Sequence, residues 1–149
     1  MSIRFSINSS RYPRDLSQIL STLLDETFVK IPSKPIYKSN SKTIIARWSK
    51  KYSKKERALS YWYGLKAVDI DRITEYGITH FAYVCNGEGV VLLPTRIIQE
   101  RIKNDQLLET LQKGRLQHFH IQFNEESGSM RWILKTGERE NVQKCYYKF

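Results

Sequence analysis

Lysine, arginine and aromatic side chains alternate over residues 30 to 57, and this mixture of residue types can bind a polynucleotide. The segment holds ten basic residues and one acidic residue, Glu56, so it carries +9 of the formal net charge of +10. Cations bind phosphates, and aromatic rings stack on bases. The segment therefore predicts a nucleic-acid-binding surface. Its candidate residues are Lys42, Arg47, Lys50, Lys51, Lys54, Lys55, Arg57, Trp48 and Tyr52. The alternative is a solvated lysine-rich loop that keeps the protein in solution.

Two histidines form the second group of residues that could do chemistry. His118 and His120 are two residues apart in an alternating segment, so they would project from the same face of a strand. Two neighbouring imidazoles can act as acid and base on a phosphodiester, or they can hold a metal. The alternative is a pair of ordinary surface histidines, which is the more common finding for such a spacing.

The acidic residues do not form the pattern of a restriction-type nuclease. Such an enzyme usually carries an acidic residue followed by Glu-x-Lys or Asp-x-Lys, in which the carboxylates hold magnesium and the lysine positions the attacking water. No Asp or Glu of this chain has a lysine two residues later, and Asp69 and Asp71 would diverge on a helix. We therefore predict no metal site and no cofactor. Magnesium would be required only if the protein were a nuclease after all.

The composition is that of an ordinary folded protein with one hydrophobic core. A chain of 149 residues with 40% hydrophobic residues favours a single domain, residues 1 to 149, over two poorly buried halves. The N-terminal residues form no apolar export signal, and no run of eighteen apolar residues could span a membrane. Cys85 and Cys145 form no paired spacing, which favours reduced thiols. We therefore expect a cytoplasmic protein that does not enter a membrane, and its oligomeric state stays open.

Three helices are predicted from the periodicity of apolar residues. The first covers residues 13 to 29. The second covers residues 67 to 76 and ends at Gly77. The third starts at Thr95 and runs towards Gly114, with a break near Asn104.

Strands are predicted at residues 43 to 48 and 60 to 65, and a hairpin joins residues 81 to 85 with 90 to 93. Further strands cover residues 116 to 123, 130 to 135 and 142 to 149. Residues 32 to 42 favour a loop or extended arm, so the basic segment 30 to 57 is interpreted as a turn-rich arm. The predicted fold class is α+β, with a mainly antiparallel sheet flanked by about three helices.

Residues 60 to 149 contain a succession of short segments with a recognisable order: Tyr61-Trp62-Tyr63-Gly64-Leu65, Ala82-Tyr83-Val84, Val91-Leu92-Leu93-Pro94, His118-Phe119-His120-Ile121, Leu134-Lys135 and Gly137-Glu138. This succession resembles an uncharacterised bacterial domain that is associated with restriction-type and HNH-type nucleases. The resemblance implies an accessory or DNA-recognition module and no catalytic residue. The basic segment lies outside it.

These observations favour a nucleic-acid-binding domain, with DNA preferred over RNA and a possible connection to restriction or mobile-element defence. One alternative is a small nuclease, either a metal-dependent deoxyribonuclease or a ribonuclease that uses His118 and His120. Another is an interaction module whose lysines meet an acidic protein partner. The sequence does not indicate which bases or modifications would be recognised.

Overall fold

The computed structural model describes residues 15–51 and 59–149, apart from the side chain of Leu59. This part of the chain forms the helices α1 (Ser17–Leu24), α2 (Ala67–Tyr76) and α3 (Thr95–Lys103). Its strands are β1 (Val29–Lys30), β2 (Ile36–Lys38), β3 (Thr43–Ser49), β4 (Leu59–Lys66), β5 (His80–Cys85), β6 (Gly89–Pro94), β7 (Glu109–Gln112), β8 (Arg115–Glu126), β9 (Ser129–Ile133), β10 (Arg139–Asn141) and β11 (Tyr146–Lys148). None of the described helices has the length and apolar character needed to cross a membrane.

The strands form two sheets, and most neighbouring strands run antiparallel. The first sheet has the order β1-β2-β3-β5-β6-β11, in which β3 and β5 are parallel. The second sheet has the order β10-β9-β8-β4, and β7 also pairs with β8. The parallel pair is possible because the chain between β3 and β5 crosses over through β4 and α2. The α+β class, the antiparallel majority and the three flanking helices are confirmed, whereas the division into two sheets was not predicted.

The larger of two cores lies between the sheets, and we call it the inter-sheet core. Strand β4 contributes Tyr61 and Tyr63, which are 0% and 2% exposed, and β8 contributes Phe123. The Tyr63 ring lies 4.7 Å from that of Tyr83 in the first sheet, and the Phe123 ring lies 5.6 Å from it. Fully buried Trp132 of β9 extends the same cluster. These aromatic rings join the sheets because each buries a large apolar area and stacks at a tilt on its neighbours.

The second core lies on the opposite face of the first sheet, where α1 packs; we call it the α1 core. Leu16, Leu20 and Phe28 cover Ile44 and Val84 there, and all five side chains are buried. Strands β5 and β6 are consequently buried on both faces, which agrees with their continuous apolar sequences. The hairpin between them is also confirmed.

Helix α1 is shorter than the prediction of residues 13 to 29. It ends at Leu24 because Asp25 takes a left-handed conformation, with φ of 53°. Phe28 is buried outside the helix, and β1 begins at Val29. Residues 13 and 14 lie outside the described residues. The helical spacing of apolar residues continues past Asp25 because Phe28, which follows the helix, is also buried. This spacing therefore fits both a longer helix and a buried turn.

The predicted helix from Thr95 towards Gly114 is wrong in its second half. Helix α3 ends at Lys103, near the predicted break, and residues 109–112 form β7 instead. Gly114 does not end a helix. Together with Lys113 it forms the tight turn between β7 and β8, with φ values of 53° for Lys113 and 75° for Gly114. Two consecutive left-handed residues are the conformation that a two-residue hairpin requires.

The described part of the basic segment, residues 30–51, contains strands as well as turns. Residues 36–38 form β2, in which Ile36 and Tyr37 are 0% exposed. The Tyr37 hydroxyl accepts a hydrogen bond from the Leu16 N–H at 3.1 Å. The predicted strand at residues 43 to 48 is confirmed as β3. Residues 52–58 lie outside the described residues.

The packing of helix α1 should contribute measurably to the free energy of unfolding. We expect Leu20→Ala to lower the free energy of unfolding by about 2–5 kcal/mol, because it leaves a cavity in the α1 core. Leu108→Ala removes the same atoms from a side chain that is 53% exposed. This control should change stability by less than about 0.5 kcal/mol. Urea denaturation measures both, and equal losses would contradict the packing of α1 described above.

Candidate nucleic-acid interface

An open groove of about 760 Å³ lies where the end of β3 approaches the edge of β4. We call it the β3–β4 groove, and the side chains that matter for its chemistry are Arg47, Lys50, Trp62, Lys66, Gln117 and His118. The sequence suggested the basic segment and the histidines as two separate candidates. The structure brings the end of the basic segment and His118 into one groove.

The groove lies at a place where β4, a strand of the second sheet, is hydrogen-bonded to the end of β3 in the first sheet. The backbone N–H of Trp62 donates a hydrogen bond to Ser49 Oγ at 3.0 Å. On its other edge β4 pairs with β8, in a register that places Trp62 opposite Gln122. Backbone groups alternate in direction along an antiparallel strand. The N–H and C=O of Gly64 therefore point to the groove side, as those of Trp62 do.

Trp62 and the two histidines form one cluster on the outer face of the second sheet. The Trp62 Nε1–H donates to His120 Nδ1 at 3.0 Å, and Thr110 Oγ1 lies 2.7 Å from His120 Nε2. An indole nitrogen only donates, so His120 Nδ1 must be unprotonated. Neutral His120 then carries its proton on Nε2 and donates it to Thr110. The Trp62 ring also meets the rings of His118 and His120 edge-on, at 5.6 Å from each.

His120 is poorly suited to acid–base catalysis because both of its nitrogens have partners within the protein. Its pKa is lowered, first by burial and second by the charge of neighbouring His118. Protonation would also place two N–H groups against each other at the Trp62 contact. His118 has no hydrogen-bond partner for its ring among the described residues, and it lines the groove. The predicted shared face of the two imidazoles is present, but the imidazoles differ in what they can do.

Asp69 holds the groove residue Arg47 in place, and sequence reasoning missed this role. Its side chain is 0% exposed and accepts a hydrogen bond from the guanidinium of Arg47. The Lys66 N–H donates to Asp69 Oδ2 at 3.1 Å, which caps α2, and the Arg72 guanidinium lies 3.9 Å from Oδ1. Asp71 is exposed, so the predicted divergence of the two aspartates is confirmed. The cap was predictable, because Asp69 is an acidic residue in the first turn of a helix. The contact with Arg47 was not, because the two residues are 22 positions apart in the sequence.

Three of the candidate basic residues use their charge within the protein. Arg47 pairs with Asp69, Lys51 pairs with Glu88 at 2.8 Å, and Lys42 pairs with Glu26. Hydrogen bonds from Lys42 and Ser41 lower the pKa of the Glu26 carboxyl to about 2.

The candidate residues do not all meet at the groove. Lys42 precedes β3, while Arg47 and Lys50 are at the other end of that strand, so the groove does not include Lys42. Trp48 borders the groove but is partly buried against the α1 core. Tyr52, Lys54, Lys55 and Arg57 lie outside the described residues, so their role stays a prediction.

Gly64 and Lys66 are groove residues that the sequence did not nominate. The rings of Tyr61, Trp62 and Tyr63 lie in the strand predicted at residues 60 to 65; they could belong to a nucleic-acid groove, but alternating rings on a strand more often fill a core on at least one side. This is confirmed for the two tyrosines, while Trp62 points outward and is 38% exposed. The signal was the alternation itself, since a period of two sends the middle ring of three to the opposite face.

Comparisons of this chain with protein-family models, with curated proteins and with solved structures found no match. The resemblance to a nuclease-associated bacterial domain therefore stays a prediction. Among residues 15–51 and 59–149, no three His, Cys, Asp or Glu side chains come together in a group that could hold a metal ion.

The neutral state of His120 predicts a pH dependence of stability. Its pKa is lower in the folded chain than in the unfolded chain, where it is about 6.5. The unfolded chain therefore binds the proton first as the pH falls, and stability is lost below about pH 6.5. In His120→Gln, an amide can keep both hydrogen bonds and does not titrate. We expect its melting temperature to fall less between pH 7.5 and pH 5 than that of the unchanged protein.

The same acid sensitivity in both proteins would refute the assignment of a neutral His120. The pKa of His80 is also lowered, by burial and by the charge of Lys42. That contribution is present in both proteins, so the difference between them isolates His120.

The buried carboxylate of Asp69 should be essential for the geometry of the groove. Asp69→Ala should lower the free energy of unfolding by about 3 kcal/mol, because it removes a helix cap and leaves two arginines without their partner. This is the lower end of the range for a broken buried pair, since both arginines can regain water. Asp71→Ala on the same helix should change stability by less than about 0.5 kcal/mol. Chemical denaturation compares the two, and a similar loss for both would contradict the role of Asp69.

Proposed function

We propose that this protein binds nucleic acid in the β3–β4 groove. The observation that carries the proposal is the combination, in one groove, of the exposed cations Lys50 and Lys66 with the partly exposed ring of Trp62 and with those guanidinium donors of Arg47 that Asp69 does not use. Phosphates bind to such cations with release of counterions, and bases stack on such rings. The resemblance of residues 60 to 149 to a nuclease-associated domain favours DNA over RNA and a link to restriction or mobile-element defence.

The groove is suited to a polyanion because Arg47 is held in place at its wall before the ligand arrives. Arg47 hydrogen-bonds Asp69 and also the Ala46 carbonyl at 3.2 Å, which fixes its guanidinium at the wall of the groove. An arginine has five donors, so these contacts leave others for a phosphate. A pre-oriented guanidinium loses little conformational entropy on binding. Lys50 and Lys66 are exposed and lie at the same groove.

The nuclease alternatives gain no support from the described residues. A histidine ribonuclease needs two imidazoles that both exchange protons with the substrate, and the nitrogens of His120 are occupied by Trp62 and Thr110. A magnesium-dependent nuclease stays an unsupported alternative. An acidic protein partner could use the same cations, but it would not need the Trp62 ring.

Charge reversal in the groove should weaken binding and flatten its salt dependence. We expect Lys50→Glu with Lys66→Glu to remove two phosphate contacts. The slope of log affinity against log salt should then become shallower by about 1.4 for a single strand and by about 1.8 for duplex DNA. Each lost contact changes the slope by about 0.7 in the first case and by about 0.9 in the second. Fluorescence anisotropy with a labelled 20-nucleotide DNA, as a strand and as a duplex, measures both quantities.

The matched control is Lys38→Glu with Lys144→Glu, which changes the net charge equally at exposed positions outside the groove. It should retain most of the affinity. An equal loss in both double variants would reject the groove as the binding site. Failure of the unchanged protein to bind either DNA at low salt would reject nucleic-acid binding and favour the acidic protein partner.

A further inference from the structure

We infer that the ligand of the β3–β4 groove is single-stranded nucleic acid, held with an unpaired base against Trp62. This inference rests on the proposed function and adds the strandedness of the ligand. It follows from how the Trp62 ring is held, from the space around it and from what a stacked duplex can present to it.

The Trp62 ring is held in one orientation before any ligand binds. Its Nε1–H is hydrogen-bonded to His120, and His118 contacts it edge-on at an interplanar angle of 84°. These contacts limit rotation of the side chain, yet it remains 38% exposed. A fixed and accessible ring is a stacking platform that loses little entropy when a base binds.

Gly64 supplies space for this arrangement. A Cβ atom at Gly64 would lie 3.4 Å from His118 Cγ and 3.5 Å from Trp62 Cη2. A larger side chain would therefore occupy the volume that the two rings use. The backbone of Gly64 is outside the left-handed region, so the position calls for a small residue because of its surroundings and not because of its conformation.

A base inside a duplex does not present a face to this platform. Both faces of every internal base are covered by its stacked neighbours, and only the terminal pairs expose one face. Proteins reach such faces either by inserting a side chain as a wedge or by extracting the base, at an expense of a few kcal/mol. Trp62 is tied to His120 and packed beside His118, so its ring is not free to extend as a wedge. The base must therefore move out to contact the ring. This movement requires the least free energy when the base belongs to a single strand, because no base pair has to be broken.

The remaining groove groups fit the other parts of a nucleotide. Arg47, Lys50 and Lys66 can bind phosphates. Gln117 and the backbone N–H and C=O of Gly64 provide donors and acceptors for the edge of an unpaired base. Since the edges of paired bases are partly used in pairing, these polar groups also favour an unpaired base.

The test compares three DNA ligands of one length: a 12-nucleotide strand, its duplex, and a strand with abasic sites at the central positions. The unchanged protein should bind the intact strand more tightly than the duplex at equal salt. Abasic sites should weaken binding at least about fivefold, the loss expected for one base–ring stack. Trp62→Ala should show the same loss with the intact strand and no further loss with the abasic strand. Trp62→Phe should recover part of the affinity because it restores a ring.

Tryptophan emission provides a second measurement that does not depend on the alanine variant. Trp132 is fully buried and Trp48 is partly buried, so stacking should quench mainly Trp62. We expect the intact strand to quench emission of the unchanged protein and to have little effect on Trp62→Phe. No quenching, tighter duplex binding, or equal binding of abasic and intact strands would overturn the inference and leave the proposed function standing. Binding of none of the three ligands at low salt would remove the proposed function, and the inference with it.

Discussion

The alternation of side chains along β4 is the constraint that links the core of this protein to its candidate site. Tyr61, Tyr63 and Leu65 point into the inter-sheet core, and Trp62, Gly64 and Lys66 point away from it. A shift of register by one residue would exchange the two sets. The core cannot tolerate such a shift, because Tyr63 packs against Tyr83 and Phe123. The energy that specifies the core therefore also fixes the position of every β4 side chain in the groove.

Asp69 provides a second, electrostatic link between the buried interior and the candidate site. A fully buried carboxylate is stable only with cationic or hydrogen-bonding partners, and it takes them from the start of α2 and from Arg47. The same contact that satisfies the carboxylate sets the guanidinium at the groove wall. Helix α2, strand β3 and the end of β4 are thereby held at one point. Loss of this carboxylate would affect both the fold and the cation that lines the site.

The sequence predicted those features of the fold that depend on local patterns. Helix α2 with its left-handed Gly77, the hairpin of β5 and β6, and strand β8 all followed from spacing and turn residues over a few positions. The errors arose where a local pattern had two solutions. Gly114 suits both a helix end and a hairpin turn, and only the pairing of β7 with β8 decides between them.

The candidate site was only partly predictable for a similar reason. Arg47, Lys50 and His118 were nominated from residue type, but their meeting depends on the junction of two sheets, which involves contacts between distant parts of the chain. The sequence also did not predict that Lys42 pairs with Glu26 and that Lys51 pairs with Glu88. A charge count along the chain cannot show which cations are neutralised by carboxylates from elsewhere. It therefore overstated the charge that the segment offers to a ligand.

Under the proposed function, this reduced charge would shift the weight of recognition towards Trp62. Attraction between cations and phosphates weakens steeply as salt rises, because it depends on counterion release. Stacking of a base on an aromatic ring lacks that dependence and contributes about 1–3 kcal/mol per base. Because the described residues place few cations at the groove, the share of the ring in the binding free energy of the proposed complex would grow as the ionic strength approaches physiological values. The hydrogen bonds that hold Trp62 through a neutral His120 would then preserve the contact that remains effective when the electrostatic attraction is screened.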